Sequence, residues 1–227
     1  MVALYDDIGR TYADQRQSDP RIGAAIEGAL LGCDSILNVG AGTGSYEPRS
    51  KFVVAVEPSR TMIAQRAAGS APVVQAYAEG LPFDTNSFDA VLGILTVHHW
   101  TELAKGFAEC ARVARSRVVF LTNDFDVCAK FWLFDYFPEL IRINGRIFPT
   151  MAHFQDAFGP VETIAVPIPQ DCRDGCNWSR TSRQASGNDA TPNFKISMHL
   201  TSATGSSRQA RSLANNVRKC LKVGLAA

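Results

Sequence analysis

Ile36-Leu37-Asn38-Val39-Gly40-Ala41-Gly42-Thr43-Gly44 decides how this 227-residue chain is read. A short apolar run suited to a buried strand leads straight into glycines at alternate positions. Such glycines let the backbone turn tightly and approach a ligand closely. Thirteen residues after Gly44 stands Glu57, at the end of Val54-Ala55-Val56-Glu57-Pro58-Ser59, which reads as a second strand ending in an acid. A carboxylate there is placed to accept hydrogen bonds from both hydroxyls of a ribose. A glycine run by itself signals only a turn. Strand, glycines, second strand and terminal acid together point to a nucleoside.

The spacing also bears on which nucleoside. A dinucleotide site uses Gly-x-Gly-x-x-Gly followed by a helix whose N-terminus faces a pyrophosphate. Here the third glycine comes one residue early, and Ser45-Tyr46-Glu47-Pro48 puts an acid and a proline where that helix would begin. Gly40 to Lys51 supplies twelve residues to return to the next strand, about the minimum for a parallel crossover. A stunted first helix, or only a turn, is therefore expected. A cofactor without phosphates fits this loop better than NAD, so an NAD(P)-dependent oxidoreductase is the disfavoured rival.

Working outward, strands are expected at Ile36–Val39, Phe52–Val56, Val73–Tyr77, Phe88–Leu95, Arg117–Leu121 and Val161–Val166. Helices are expected over Asp7–Gln17, Arg21–Leu31 (started by Asp19-Pro20 and ended by Gly32), Ser59–Ala68 and Thr101–Ala114. Strand–helix alternation at this density predicts an α/β fold, a Rossmann-like doubly wound sheet with helices on both faces.

Totals of 23 Lys+Arg and 22 Asp+Glu, with 46% apolar residues, exclude a strongly basic nucleic-acid binder and a wholly disordered chain. The first residues lack a signal peptide's order and no run reaches ~20 apolar residues, which predicts a cytoplasmic protein without a membrane span. In that compartment the six cysteines read as free thiols, and Cys172 and Cys176 lack the partners of a zinc site, so no metal is expected. The charge is uneven. Residues 176–227 carry eight basic residues and one acid, with eight Ser, five Asn and four Thr. This divides the chain into a body, 1–175, and a basic Ser/Asn-rich tail, 176–227, expected to be weakly structured or aberrant. Within the tail only Phe194–Leu200 alternates like a strand. A divergent arm, a disordered tail binding polyanions non-specifically, or an out-of-frame translation from about residue 175 would each give this break. Its abruptness favours the last.

The glycine loop resembles that of class I S-adenosylmethionine-dependent methyltransferases. The resemblance extends through Glu57-Pro58-Ser59 with Met62, Ala78-Glu79-Gly80-Leu81-Pro82-Phe83, Ser87-Phe88-Asp89-Ala90-Val91-Leu92, and Glu109 to Arg117 leading into Val118–Thr122. More narrowly, Asn38–Pro48 and Thr96-Val97-His98-His99-Trp100 resemble a bacterial small-molecule subgroup of type 11-like methyltransferase domains. The match spans about residues 5–175. It implies S-adenosylmethionine as cofactor and a small-molecule methyl acceptor. By position, Gly40, Ala41, Gly42 and Gly44 would cradle the methionine part, with Asn38 near its amino group, and Glu57 with Pro58 would hold the ribose. Ala78 and Glu79 would meet the adenine, and Leu95 would lie under the sulfonium. Two departures stand out: Asn38 replaces the usual acid, and Arg115-Ser116-Arg117 replaces a Pro-Gly turn. After Asp171-Cys172-Arg173-Asp174-Gly175 relatives continue with an aromatic-rich helical region and a last antiparallel strand, so C-terminal strands are expected to be missing or altered. A cofactor-binding protein that no longer catalyses is therefore kept as an alternative.

Methyl transfer is an in-line displacement that depends mostly on alignment and exclusion of water. Where the nucleophile must lose a proton, a general base adds about 10²–10⁴-fold. His98 and His99, just past the fourth strand, are the candidate bases, weighed evenly against a cap and an exposed side chain. Tyr5, Tyr12 and Arg16 fall on a segment that folds over the cofactor in similar proteins; a solvated helix face is the plainer reading of Arg16. Trp100 is read as core. The aromatic run Phe131–Phe137 is read as core first and as a wall for a hydrophobic substrate second.

Overall fold

The computed structural model describes residues 5–8, 18–123, 138–166, 196–203 and 217–224. In chain order its elements are α1 (Tyr5–Ile8), α2 (Pro20–Ala29), β1 (Ser35–Val39), β2 (Phe52–Val56), α3 (Arg60–Ala64), β3 (Val73–Val74) and β4 (Phe88–Ile94). A 3₁₀ turn (Val97–His99), α4 (Leu103–Val113), β5 (Ala114–Asn123), α5 (Glu139–Ile147), α6 (Met151–Phe158), β6 (Val161–Ala165), β7 (Ile196–Ala203) and β8 (Val217–Gly224) follow.

The described strands form one sheet of order β3-β2-β1-β4-β5-β7-β6-β8. Strands β1 to β5 are parallel. β7 runs antiparallel between β5 and β6, with Arg117 opposite Ser202 and Asn123 opposite Ile196. Thus the strand expected over Phe194–Leu200 is present from Ile196 and extends to Ala203, residues 194 and 195 lying outside the described residues. β8 also falls within the tail. The expected boundary between residues 175 and 176 lies outside the described residues, as do Tyr12, Arg16, Phe131–Phe137 and Asp171–Gly175.

Alternation along each strand sends side chains to two cores. Ile36, Ala90, Leu92, Val119 and Leu121 pack with Ile22, Ile26 and Leu30 of α2 and its C-terminal end. Leu37, Val39, Val91, Val118 and Phe120 face Phe107 and Val113 of α4 and Phe154 and Phe158 of α6. Burial on both faces explains why these strands read as continuous apolar runs. In the second core Phe107 is central, with ring centroids 4.9 Å from Phe154, 5.1 Å from Phe158 and 5.3 Å from Phe120. Trp100 packs edge-on against Phe107 and Phe120, so it belongs to this core as expected.

Local chemistry fixes the ends. Asp19 caps α2 by accepting from Arg21 N–H, with Pro20 in the first turn. Ser59 caps α3 by accepting from Met62 N–H. Between β1 and β2 there is no helix, only turns. The Arg115-Ser116-Arg117 departure is taken into β5, where Arg115 pairs with Asp89 and Arg117 donates to the carbonyls of Ala29 and Leu31. β3 is shorter than expected, because only Val73 and Val74 pair with β2. Among the described residues no helix is long and apolar enough to cross a membrane.

The sheet order reverses direction at β1, with β2 on one side and β4 on the other. Open parallel sheets bind ligands in the crevice beyond the carboxyl ends at such a point. The core behind it is load-sensitive: Phe107→Ala should destabilise the protein by about 3–5 kcal/mol, read as a lowered denaturant midpoint with an unchanged slope.

Candidate functional site

The glycine loop hangs from the end of β2. Gly40 and Ala41 both donate their N–H to the Val56 carbonyl, at 2.8 and 2.9 Å. Gly40 has φ +67°, and a Cβ there would lie 1.8 Å from Thr96 Oγ1, so only glycine fits. Gly42, at φ +54°, turns its N–H onto Glu57 Oε2 at 2.8 Å. The other oxygen, Oε1, accepts the Ser59 N–H at 2.9 Å.

Glu57 is only 5% exposed. Burial raises its pKa above the usual value, and the proximity of Asp6 adds to that. The N–H groups of Ser59 and Gly42 and the charge of Arg66 pull the other way. Each carboxylate oxygen spends one acceptor site on a backbone N–H and keeps capacity for another donor. The acid singled out from sequence is therefore built into the loop.

Behind the loop lies a network that sequence reasoning missed. Glu47 pairs with Arg66 at 2.7 Å, with the side chains 10% and 5% exposed. Arg66 also donates to the carbonyls of Gly42 and Ala71, and Glu47 accepts from Ala71 N–H. Asn38, 1% exposed, donates its amide to Glu47 Oε1 at 3.2 Å. This explains the departure at position 38. A second carboxylate there would face Glu47 at hydrogen-bond distance, and like charges so placed oppose ionisation. Asn38 Oδ1 is buried and has no hydrogen-bond partner among the described residues. A buried orphan acceptor is costly, and it suits an N–H donor such as an ammonium. Nothing in the sequence signalled Arg66, which falls in the stretch Ser59–Ala68 expected as a helix; α3 in fact ends at Ala64, and Arg66 lies just beyond it.

On the β4 side, Leu95 has φ +49°, a strained conformation for a branched side chain. Its N–H is held by the Leu121 carbonyl at 2.7 Å. The 3₁₀ turn then carries His98 and His99. The His98 ring lies between those of His99 and Phe148, at centroid distances of 3.8 and 4.6 Å. His99 is exposed, and its Nε2 lies 3.0 Å from the Tyr5 hydroxyl. Just before α4, the Thr101 and Glu102 N–H groups donate to Glu79 Oε1.

Ala78 is buried, and Glu79 and Pro58 are partly exposed. The segment after them is clamped from α4. Glu109 accepts from Leu81 N–H, while Arg112 donates to Glu109 and to the carbonyls of Leu81 and Phe83. Arg112 beside Glu109 holds that carboxyl below the usual range. The structure thus brings Asn38, Gly40, Ala41, Gly42, Gly44 and Glu57 together around one loop. It sets Leu95, His98 and His99 at the neighbouring strand end.

Residues 37–122 match the family described as a methyltransferase domain. A crystal structure described as a methyltransferase from an antibiotic biosynthesis pathway of Anabaena variabilis is 33% identical, with a TM-score of 0.65, each chain covered over 76%. This chain is a class I S-adenosylmethionine-dependent methyltransferase. An S-adenosylmethionine-dependent methyltransferase from Thermotoga maritima shares the fold at 18% identity and a TM-score of 0.56, over 73% of this chain and 84% of that one. A methyltransferase from Haloferax volcanii, solved with its Trm112 activator, does so at 15% identity and a TM-score of 0.52, over 80% and 91%. No curated protein matches the sequence.

The buried ion pair of this methyltransferase tests directly. Arg66→Met would leave the Glu47 carboxylate buried without its partner, and should cost about 3–5 kcal/mol. Denaturant unfolding reads that loss; an unchanged midpoint would show that the pair does not hold the loop.

Proposed function

We propose that this methyltransferase is a cytoplasmic enzyme that methylates a small-molecule acceptor, with the cofactor in the crevice between the ends of β1, β2 and β4. The observation that carries this reading is the Glu57 carboxylate, buried and already held by the N–H groups of Gly42 and Ser59. It joins the two segments that a nucleoside must touch. S-adenosylmethionine, when bound, supplies a methyl group on a sulfonium, open to in-line displacement.

The chain's residues then have these tasks. Glu57, with Pro58 beside it, holds the ribose hydroxyls. The backbone of Gly40, Ala41, Gly42 and Gly44 lies along the methionine part, and Asn38 Oδ1 takes an N–H of its amino group. Ala78 and Glu79 flank the adenine. Leu95, kept in its strained conformation by Leu121, sits against the sulfonium end. His99, with the tilted His98 ring packed beside it, takes the acceptor's proton. The loop's lack of a following helix supports a cofactor without phosphates, since no helix N-terminus is presented to a pyrophosphate.

Titration calorimetry with S-adenosylhomocysteine and with NAD tests the reading. Saturable binding of the first alone is expected; binding of NAD alone would overturn it. Glu57→Ala should weaken S-adenosylhomocysteine binding about 10–100-fold, the loss of a charged acceptor's hydrogen bonds.

The raised Glu57 pKa sets a pH dependence as well. Only the carboxylate accepts from both hydroxyls, so affinity should fall as pH drops through a value above the usual one of 4.5. The stability linkage has the opposite sign. A carboxyl raised on folding favours the folded state below its unfolded pKa, and that contribution is lost as pH rises through the folded value. Calorimetry at successively lower pH should show affinity declining before an ordinary glutamate would protonate, and Glu57→Ala should flatten the profile.

A further inference from the structure

The helix α1 touches the body on the β2 side and on the β4 side. On the first, Asp6 Oδ1 accepts from the Ser59 hydroxyl at 2.7 Å and from Thr61 N–H at 3.3 Å. The Asp6 carbonyl accepts from the Thr61 hydroxyl at 3.2 Å. On the other, the Tyr5 hydroxyl meets His99 Nε2 at 3.0 Å, and the two rings pack edge to face with centroids 5.0 Å apart. Ser59 and Thr61 follow β2, and His99 follows β4. Because β1 lies between those strands, a segment that touches both crosses the carboxyl end of β1, above the glycine loop.

A helix of four residues does not hold its shape alone. The contacts on its two sides are therefore expected to be linked, so that releasing Asp6 from Ser59 and Thr61 loosens Tyr5 on His99. The hydrogen bond made by one imidazole nitrogen sets the tautomer and the ring angle.

We propose that Tyr5 is a positioning residue for His99, and that α1 is a strap through which the Ser59–Thr61 side of the crevice sets that histidine. The role for His99 rests on the proposed function, but the strap itself does not. Its purpose would be to ready the base only when the ribose side of the crevice is in order. Asp6 stands near enough to Glu57 to raise that carboxyl's pKa, so the strap's anchor and the ribose acid share one electrostatic environment.

Carbethoxylation by diethylpyrocarbonate, followed at single histidines by mass spectrometry, reads His99 without any acceptor or cofactor. Tyr5→Phe keeps the ring contact and removes the hydroxyl; Asp6→Ala removes the acceptor for Ser59 and Thr61. Each should speed modification of His99 about 3–10-fold, the gain expected from losing one hydrogen bond, with His153 as the reference in the same chain. Asp6→Asn keeps an acceptor oxygen for Ser59 and Thr61 and should retain the wild-type rate. The reagent attacks neutral imidazole, so the pH at half-maximal rate should also move in Tyr5→Phe, which a loosened fold alone would not produce. An unchanged His99 rate in Asp6→Ala would overturn the strap. An unchanged rate and pH midpoint in Tyr5→Phe would overturn the positioning role. Failure of the wild type to bind S-adenosylhomocysteine would overturn the cofactor reading instead, leaving the ligand-free rates to decide the strap.

Discussion

One carboxylate ties this crevice together. Glu57 stands at the end of β2, yet its oxygens are bonded to Gly42 in the loop after β1 and to Ser59 at the start of α3. Removing a carboxylate from water is costly, and two backbone donors offset part of that cost. The same bonds hold a glycine loop that has no helix behind it. The turn between β1 and β2 is also suspended from the Val56 carbonyl. Loop and acid are thus one unit, and the orientation of either depends on the other.

The ion pair behind the loop supplies what a first helix would otherwise provide. Glu47 and Arg66 bond to each other, to Asn38, and to backbone groups of Gly42 and Ala71. This fixes the loop from its outer side. It also makes the neutral side chain of Asn38 intelligible, because Glu47 already brings a carboxylate to that place. The substitution at the end of β1 and the acid after the loop are two parts of one arrangement.

Much of this was legible beforehand. Apolar runs bounded by turn residues located β1, β2, β4 and β5 to within a few residues, since strands buried on both faces have no other composition available. The twelve-residue return from Gly40 to Lys51 ruled out a full first helix by length alone. Less visible were β8, whose place comes from pairing with β6 and β7, and α6, whose place comes from packing Phe154 and Phe158 against Phe107 of α4. In the site, Gly40, Gly42 and Glu57 declared themselves by spacing. Arg66 and Tyr5 did not: an arginine just past a short helix and a tyrosine in a polar stretch look like surface until their partners are known.

The sequence by itself determined the parallel sheet, the glycine turn and the acid that follows it. These depend on residue type at short range: apolar runs, glycine's freedom at positive φ, and a carboxylate at a strand end. The tertiary structure decided which groups meet across many residues. It placed Thr96 where Gly40 permits no side chain, closed Glu47 onto Arg66, and set Tyr5 against His99, 94 residues away. No local pattern encodes those pairings, because the sheet order brings the ends of β1, β2 and β4 side by side while their separation along the chain conceals it.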